Sequence, residues 1–179
     1  YPNDVWVTSL SVGAVQKNYD PAIGFTPRSD YRRYNPEFRW NPRPYNHPVV
    51  RRFSFGAEPF FLTDMQNRME SAGGNIQLFR MEMHSGDNID AYASPSYERL
   101  REDFEISDGI VLPGGSDYHF TRYGISVNTA NRRIVALRPR AEWGTFFSGS
   151  RQEYELGIDV RPRPGVRVNM SYEYNDVNL

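Results

Sequence analysis

The sequence predicts an all-β protein, an antiparallel up-and-down meander of about nine long strands. Three observations point there. Apolar and polar residues alternate singly along much of the chain, most cleanly from Val166 to Tyr174, where Val166, Val168, Met170 and Tyr172 oppose Arg167, Asn169, Ser171 and Glu173. Successive side chains of a strand point to opposite faces, so this segment has one greasy side and one wet side. Most of the alternating segments reach the roughly 9–11 residues that a tilted strand needs to cross a bilayer, against about 5–6 for an average strand in soluble proteins. Aromatic residues make up 15% of the 179, with 12 Tyr, 11 Phe and 3 Trp.

The strands are expected at 4–15, 29–41, 49–63, 75–84, 89–98, 117–129, 133–146, 151–161 and 166–178, each bounded by Gly, Pro, Asn or Asp clusters. In the second, Tyr34, Phe38 and Trp40 alternate with Arg33, Asn35, Glu37 and Arg39. In the third, Phe53, Phe55 and Ala57 alternate with Arg52, Ser54, Gly56 and Glu58. The seventh sets Val135, Leu137, Ala141 and Trp143 against Ala136, Arg138, Arg140 and Glu142. Pro139 interrupts it and suggests a bulge or an edge position. The eighth sets Tyr154, Leu156, Ile158 and Val160 against Glu153, Glu155 and Asp159. The best helical segment, Tyr97 to Phe104, is short and has no strong cap.

The connections alternate in length. Asn41–Pro48, Ser85–Asn88, Ala130–Arg132 and Arg161–Gly165 are mostly short. Gln16–Pro27, Asp64–Gly74, Arg99–Ser116 and Phe147–Ser150 are mostly longer, although Asp64 to Asn67 reads equally as a tight turn. In a meander, alternate connections share an end, and outer-membrane barrels carry short turns at one end and long loops at the other.

Composition narrows the function. Net charge is −1, so no basic excess points to nucleic acid. The absence of cysteine excludes thiolate metal sites and a Cys nucleophile. Mean hydropathy is −0.68, and no apolar run is long enough for a membrane helix, which says nothing against a barrel. All but Lys17 of the 21 basic residues are arginine. The chain opens on Tyr1 and reads as a mature or partial piece.

Catalytic patterns are missing. There is no G-x-S-x-G elbow and no P-loop. His47, His84 and His119 stand far apart, without a second His at ligand spacing. Glu98, Glu102, Asp103 and Glu105 form the densest acidic cluster and read as a charged loop. An enzyme acting through these carboxylates is the weakest of the alternatives. Asp87, Asn88 and Asp90 lack the spacing and the terminal Glu of a calcium loop, and Ser85-Gly86-Asp87 is turn chemistry. No cofactor is expected. Trp6, Trp40 and Trp143 are candidates either for an interfacial girdle or for stacking on sugars. Two fold readings therefore stay open on the residues alone, a membrane barrel and a soluble carbohydrate-binding β-sandwich.

Several segments in order carry a resemblance: Gly24-Phe25-Thr26-Pro27-Arg28 with Asp30 and Arg32-Arg33, Arg51-Arg52-Phe53-Ser54-Phe55-Gly56, Leu62-Thr63-Asp64, Ser85-Gly86-Asp87, Glu98-Arg99-Leu100 with Phe104-Glu105-Ile106, Leu112-Pro113-Gly114, Tyr118 to Tyr123, Asn131-Arg132-Arg133 and Tyr172 to Val177. Together they resemble a family of Gram-negative outer-membrane proteins with an N-terminal carbohydrate-binding-family-9-like sandwich and a long C-terminal β-barrel. The chain is similar to the later part of that barrel. The resemblance implies an outer-membrane location and a barrel fold, with a structural or transport role linked to glycan handling. It brings no catalytic residues.

On that basis Arg33, Glu37, Arg39, Arg138, Arg140, Glu142, Glu153, Glu155, Asp159, Arg167 and Glu173 are expected in the lumen. Trp40, Phe53, Phe55, Trp143, Tyr154, Leu156, Ile158, Met170 and Tyr172 are expected on lipid or in a girdle. Nine is an odd count for such a barrel. The expected partners are therefore outer-membrane lipid, glycans, and further strands of the same protein or of other membrane chains.

Overall fold

The computed structural model describes residues 4–20, 29–107 and 109–178. The Gly24 to Arg28 segment and most of the Gln16–Pro27 connection lie outside them. The strands are β1 (Trp6–Val15), β2 (Tyr31–Trp40), β3 (Val50–Asp64), β4 (Met69–Met83), β5 (Asn88–Arg99), β6 (Phe104–Ser107), β7 (Ile110–Leu112), β8 (Asp117–Asn128), β9 (Val135–Phe146), β10 (Gly149–Arg163) and β11 (Val166–Asn178). Nine of them form one antiparallel sheet in the order β1-β2-β3-β4-β5-β8-β9-β10-β11. β6 and β7 make a separate hairpin within the connection from β5 to β8. The sheet is open, with β1 and β11 at its edges.

The meander expected from the alternation is present, with corrections at three places. β4 starts at Met69, so the expected Asp64–Gly74 loop is a turn of 65–68. Asp64 closes it: one carboxylate oxygen accepts the amides of Gln66 at 2.9 Å and Arg68 at 2.8 Å, and the other accepts Arg68 Nε at 2.6 Å. The alternation of connection lengths is correspondingly weaker. The turn end of the sheet carries the connections after β2, β4, β8 and β10, and the loop end those after β1, β3, β5 and β9. Both long connections still share one end.

The second correction is at Tyr97 to Phe104, which is not helical. Tyr97, Glu98 and Arg99 continue β5, with Glu98 opposite Tyr118. Leu100 then exchanges backbone hydrogen bonds with Ser116 and Gly115. Phe104 opens the small hairpin, a third feature that the sequence does not announce.

Pro139 sits inside the sheet, yet the ladder from β8 to β9 ends at Arg140. The missing N–H therefore falls where β9 has no β8 partner, a local edge. Between β2 and β3, the ladder lapses from Tyr34↔Phe61 to Phe38↔Ala57, around Pro36 and Pro59.

The sheet is strongly staggered. A line through paired residues leaves Trp6 at the start of β1 and crosses Trp40 and Phe55. Beyond the β3–β4 bulge it continues through Phe79, Ala91, Ile125, Ala141 and Tyr154 to Tyr174, near the far end of β11. The line thus passes from the turn end to the loop end, the shear that accompanies strand tilt.

No apolar core forms among the described residues. The buried hydrophobics are only Val50, Ala93, Leu112, Ala130 and Ala136. The buried set is otherwise polar and includes Glu70, Glu142, Glu153 and Asp159.

Candidate functional site

Cross-strand pairs share a face, so the register sorts every side chain. Arg33, Glu37, Arg39, Arg138, Arg140, Glu142, Glu153, Glu155, Asp159, Arg167 and Glu173 all stand on one charged face. Trp40, Phe53, Phe55, Trp143, Tyr154, Leu156, Ile158, Met170 and Tyr172 all stand on the other.

Three networks build the charged face. In the first, Glu37 accepts Ser9 Oγ at 2.9 Å and Arg39 Nε at 2.7 Å, and Arg39 lies 3.5 Å from Glu58. At the centre, Glu142 accepts Tyr92 Oη at 2.7 Å and Arg140 Nη2 at 2.9 Å, with Arg122 Nη1 at 2.7 Å. Arg140 also donates to Tyr92 Oη at 3.0 Å and lies over the Tyr92 ring. Gly124 makes this possible: a Cβ there would meet Tyr92 Cζ at 2.2 Å, so only glycine lets the ring lie flat on β8. In the third network Asp159, with no exposed surface, accepts Arg138, Asn169 and Arg167, the last at 3.0 Å. A buried carboxylate is tolerable only when it is paired and hydrogen-bonded in this way.

Several residues of this face are not among the expected lumen residues, although the alternation already puts Arg52 on the polar side of its strand. Arg52, Arg80, Glu82 and Asp90 line its concavities together with Tyr92 and Arg122. Their signal is obscured on β4, where Leu78 and Phe79 are consecutive apolar residues. The pairing shifts there, from Gln77↔Tyr92 to Phe79↔Ala91, so a bulge breaks the period of two. Tyr92 and Phe60 are aromatics on the charged side; Arg33 lies 5.2 Å over Phe60.

The opposite face is apolar and open. Trp6, Leu10, Phe38, Ile125, Trp143, Met170 and Tyr172 are all exposed. Trp6, Trp40 and Phe55 stack in a row with ring centroids 5.7 and 5.5 Å apart, near the turn end. Trp143 and Tyr154 lie toward the loop end of their strands, and Tyr123, opposite Trp143, lies midway along β8.

The remaining sequence candidates have local duties. His47 Nδ1 accepts the Val50 amide at 2.9 Å, and His84 Nε2 lies 3.2 Å from the His47 carbonyl, so two histidines distant in sequence meet at one turn. His119 stacks against Tyr97 at 4.7 Å. Asp103 accepts the Gly114 amide and Glu105 the Gly109 amide, both within the hairpin connection. At the turn end, Asp87 accepts Ser85 Oγ at 2.6 Å, the Ala130 amide at 2.7 Å and Arg133 Nη2 at 2.5 Å. These donors, Ser85 foremost, pull its pKa from the usual 3.8 down to about 2. With both oxygens so engaged, Asp87 ties two neighbouring turns together. Among the described residues no group of His, Asp and Glu is arranged to hold a metal.

No protein family, curated protein or solved structure matches this chain.

Proposed function

We propose that this sheet is part of the wall of a transmembrane β-barrel in a bacterial outer membrane, serving a structural or transport role. Its charged face lines the lumen and its apolar face meets lipid. One observation carries this: burial is inverted. On the interior strands Asp159 is 0% exposed and Glu142 3%, whereas their strand neighbours on the other face, Tyr154 and Trp143, are 46% and 44% exposed. A water-soluble domain buries its apolar face, at about 25 cal/mol per Å². Contiguous exposed apolar patches beyond a few hundred Å² mark contact with a membrane or another protein. Here exposed apolar side chains stand on eight of the nine strands of the sheet, all but β5, whereas most charged side chains pair with one another on the opposite side.

The edges support the same assignment. β1 and β11 run in the same direction, because β11 is the ninth strand of an antiparallel order. Closure with antiparallel pairs throughout therefore takes an odd number of further strands, from the same protein or from another chain. An unpaired edge in hydrocarbon leaves backbone groups unsatisfied at several kcal/mol each. The stagger from Trp6 to Tyr174 is the shear such closure needs. The turn end would face the periplasm and the loop end, with the β6–β7 hairpin, the exterior.

The order of motifs noted in the sequence adds the outer-membrane family with a glycan-binding module as the parent, and glycans as a partner class. A soluble carbohydrate-binding sheet fits less well. The Trp40 ring lies within 6 Å of both Trp6 and Phe55 at interplanar angles of 21° and 29°, so these faces are partly occupied by each other rather than presented to a sugar.

The test is extraction and gel mobility of the full-length protein. The barrel requires detergent for release from the envelope fraction and a heat-dependent shift in mobility. Free solubility without detergent would refute it.

A further inference from the structure

We propose that Arg51, Arg52 and Arg80 form an oxyanion-binding station on the charged face, taking a phosphate or carboxylate group of a solute. This rests on the lumen assignment and deepens it by naming the solute class. The station originates in a β-bulge. The register between β3 and β4 steps from Val50↔Met83 to Arg52↔Glu82, leaving Arg51 as the extra residue. Consecutive strand residues normally point to opposite faces, but a bulge re-aims one of them. Both arginines therefore reach one acceptor, Glu82.

Three guanidinium groups surround that carboxylate. Arg52 Nη2 hydrogen-bonds Oε1 at 2.5 Å. Arg80 Nε stops at 3.6 Å from Oε1 and Arg51 Nη2 at 3.9 Å from Oε2, both beyond hydrogen-bond range. The second carboxylate near Arg80 is Asp90, 3.8 Å away, and it already accepts Gln77 Nε2 at 2.7 Å. The Arg80 and Arg51 side chains thus make no hydrogen bond among the described residues, and they are 39% and 58% exposed. Elsewhere on this face arginines are consumed by their partners, as Arg39 is by Glu37 and Arg140 by Glu142 and Tyr92.

Arg80 and Arg52 border a cavity of about 320 Å³, lined also by Asn41, Ser54 and Gln77. The Arg80 fork borders this cavity without a hydrogen bond of its own, and Arg51 stands on the other oxygen of Glu82; such forks match the bidentate geometry of phosphate and carboxylate. Glu82 serves as the pivot that gathers the cations, and with Asp90 beside Arg80 two carboxylates face three guanidinium groups, which leaves one positive charge in excess.

The full-length protein, folded in detergent, is titrated with inorganic phosphate by calorimetry. Saturable binding is expected, displaced by acetate. Arg80→Gln and Arg51→Gln should each weaken it at least tenfold. Arg99→Gln, which alters a pair with Asp117 at the opposite end of the sheet, should change it less than twofold. Absence of saturable binding, or equal affinity in the Arg80→Gln and Arg51→Gln proteins, overturns the station. Conductance in planar bilayers separates this from the lumen assignment. Pores whose anion preference falls in Arg80→Gln support both. Phosphate binding without any pore leaves the station standing and removes the lumen.

Discussion

Leu156 is the place to ask which face meets lipid. It lies midway along β10, seven residues from Gly149 and seven from Arg163, between Pro139 on β9 and Tyr172 on β11. Seven residues of strand span roughly 24 Å, and a tilt near 45° reduces that to about 17 Å along the membrane normal. An arginine at 156 would begin near the centre of an apolar band about 25 Å tall, and its side chain is too short to carry the charge out of it. The expected cost of Leu156→Arg in lipid is about 2–4 kcal/mol. In water the cost would be small. Leu156 is 38% exposed, so only part of a leucine's burial is at stake, and the arginine stem would keep much of that contact. About 1 kcal/mol or less is expected there. Ser171→Arg is the control. It lies one position before Tyr172 on β11 and faces the charged side opposite Gly157, where about 0.5 kcal/mol or less is expected. The assay is denaturant unfolding of the full-length protein from liposomes, followed by tryptophan fluorescence. A loss below about 1 kcal/mol for Leu156→Arg, or equal losses for the two variants, would refute the lipid-facing assignment.

The central network gives two further expectations. Glu142→Ala strands Arg122 and Arg140 and removes the acceptor of Tyr92; a loss of about 2–3 kcal/mol is expected, on the lower side for a buried pair because both arginines reach water. Gly124→Ala should cost about 1–3 kcal/mol by displacing the Tyr92 ring, and should cost almost nothing in a Tyr92→Ser background; an equal cost in both backgrounds would separate Gly124 from Tyr92. Asp87 supplies the pH dependence. Its folded pKa of about 2 lies below the usual 3.8, so its contribution is complete above about pH 5 and disappears as the pH falls through 4 toward 2. The stability gap between the natural protein and Asp87→Asn should therefore close over that range and stay constant from pH 5 to 7.

Much of the sheet is legible because a strand writes its two faces into every second residue. β2, β8, β10 and β11 lie within a few residues of their expected limits, and the candidate residues fall on the two faces that the alternation assigns them. The failures have local causes. Ser71-Ala72-Gly73-Gly74 has no alternation to display, so the start of β4 resembles a loop. Leu78-Phe79 conceals a bulge. The Tyr97–Phe104 run mimics a helical face until pairing with β8 claims Tyr97 to Arg99.

By itself the sequence determined the nine strands of the main sheet, their meander order and the composition of each face, because those depend on periodicity and on turn residues that act locally. Only the tertiary structure decided which side chains meet. The Tyr92–Arg140–Glu142 network joins residues up to fifty positions apart, and the Arg51–Arg52–Glu82–Arg80 cluster depends on a one-residue shift of register. Periodicity survives such a shift unchanged on either side of it, whereas the set of cross-strand neighbours does not. The inversion of burial likewise exists only once the strands are paired, when carboxylates such as Asp159 are enclosed by arginines and the aromatic rows stay uncovered.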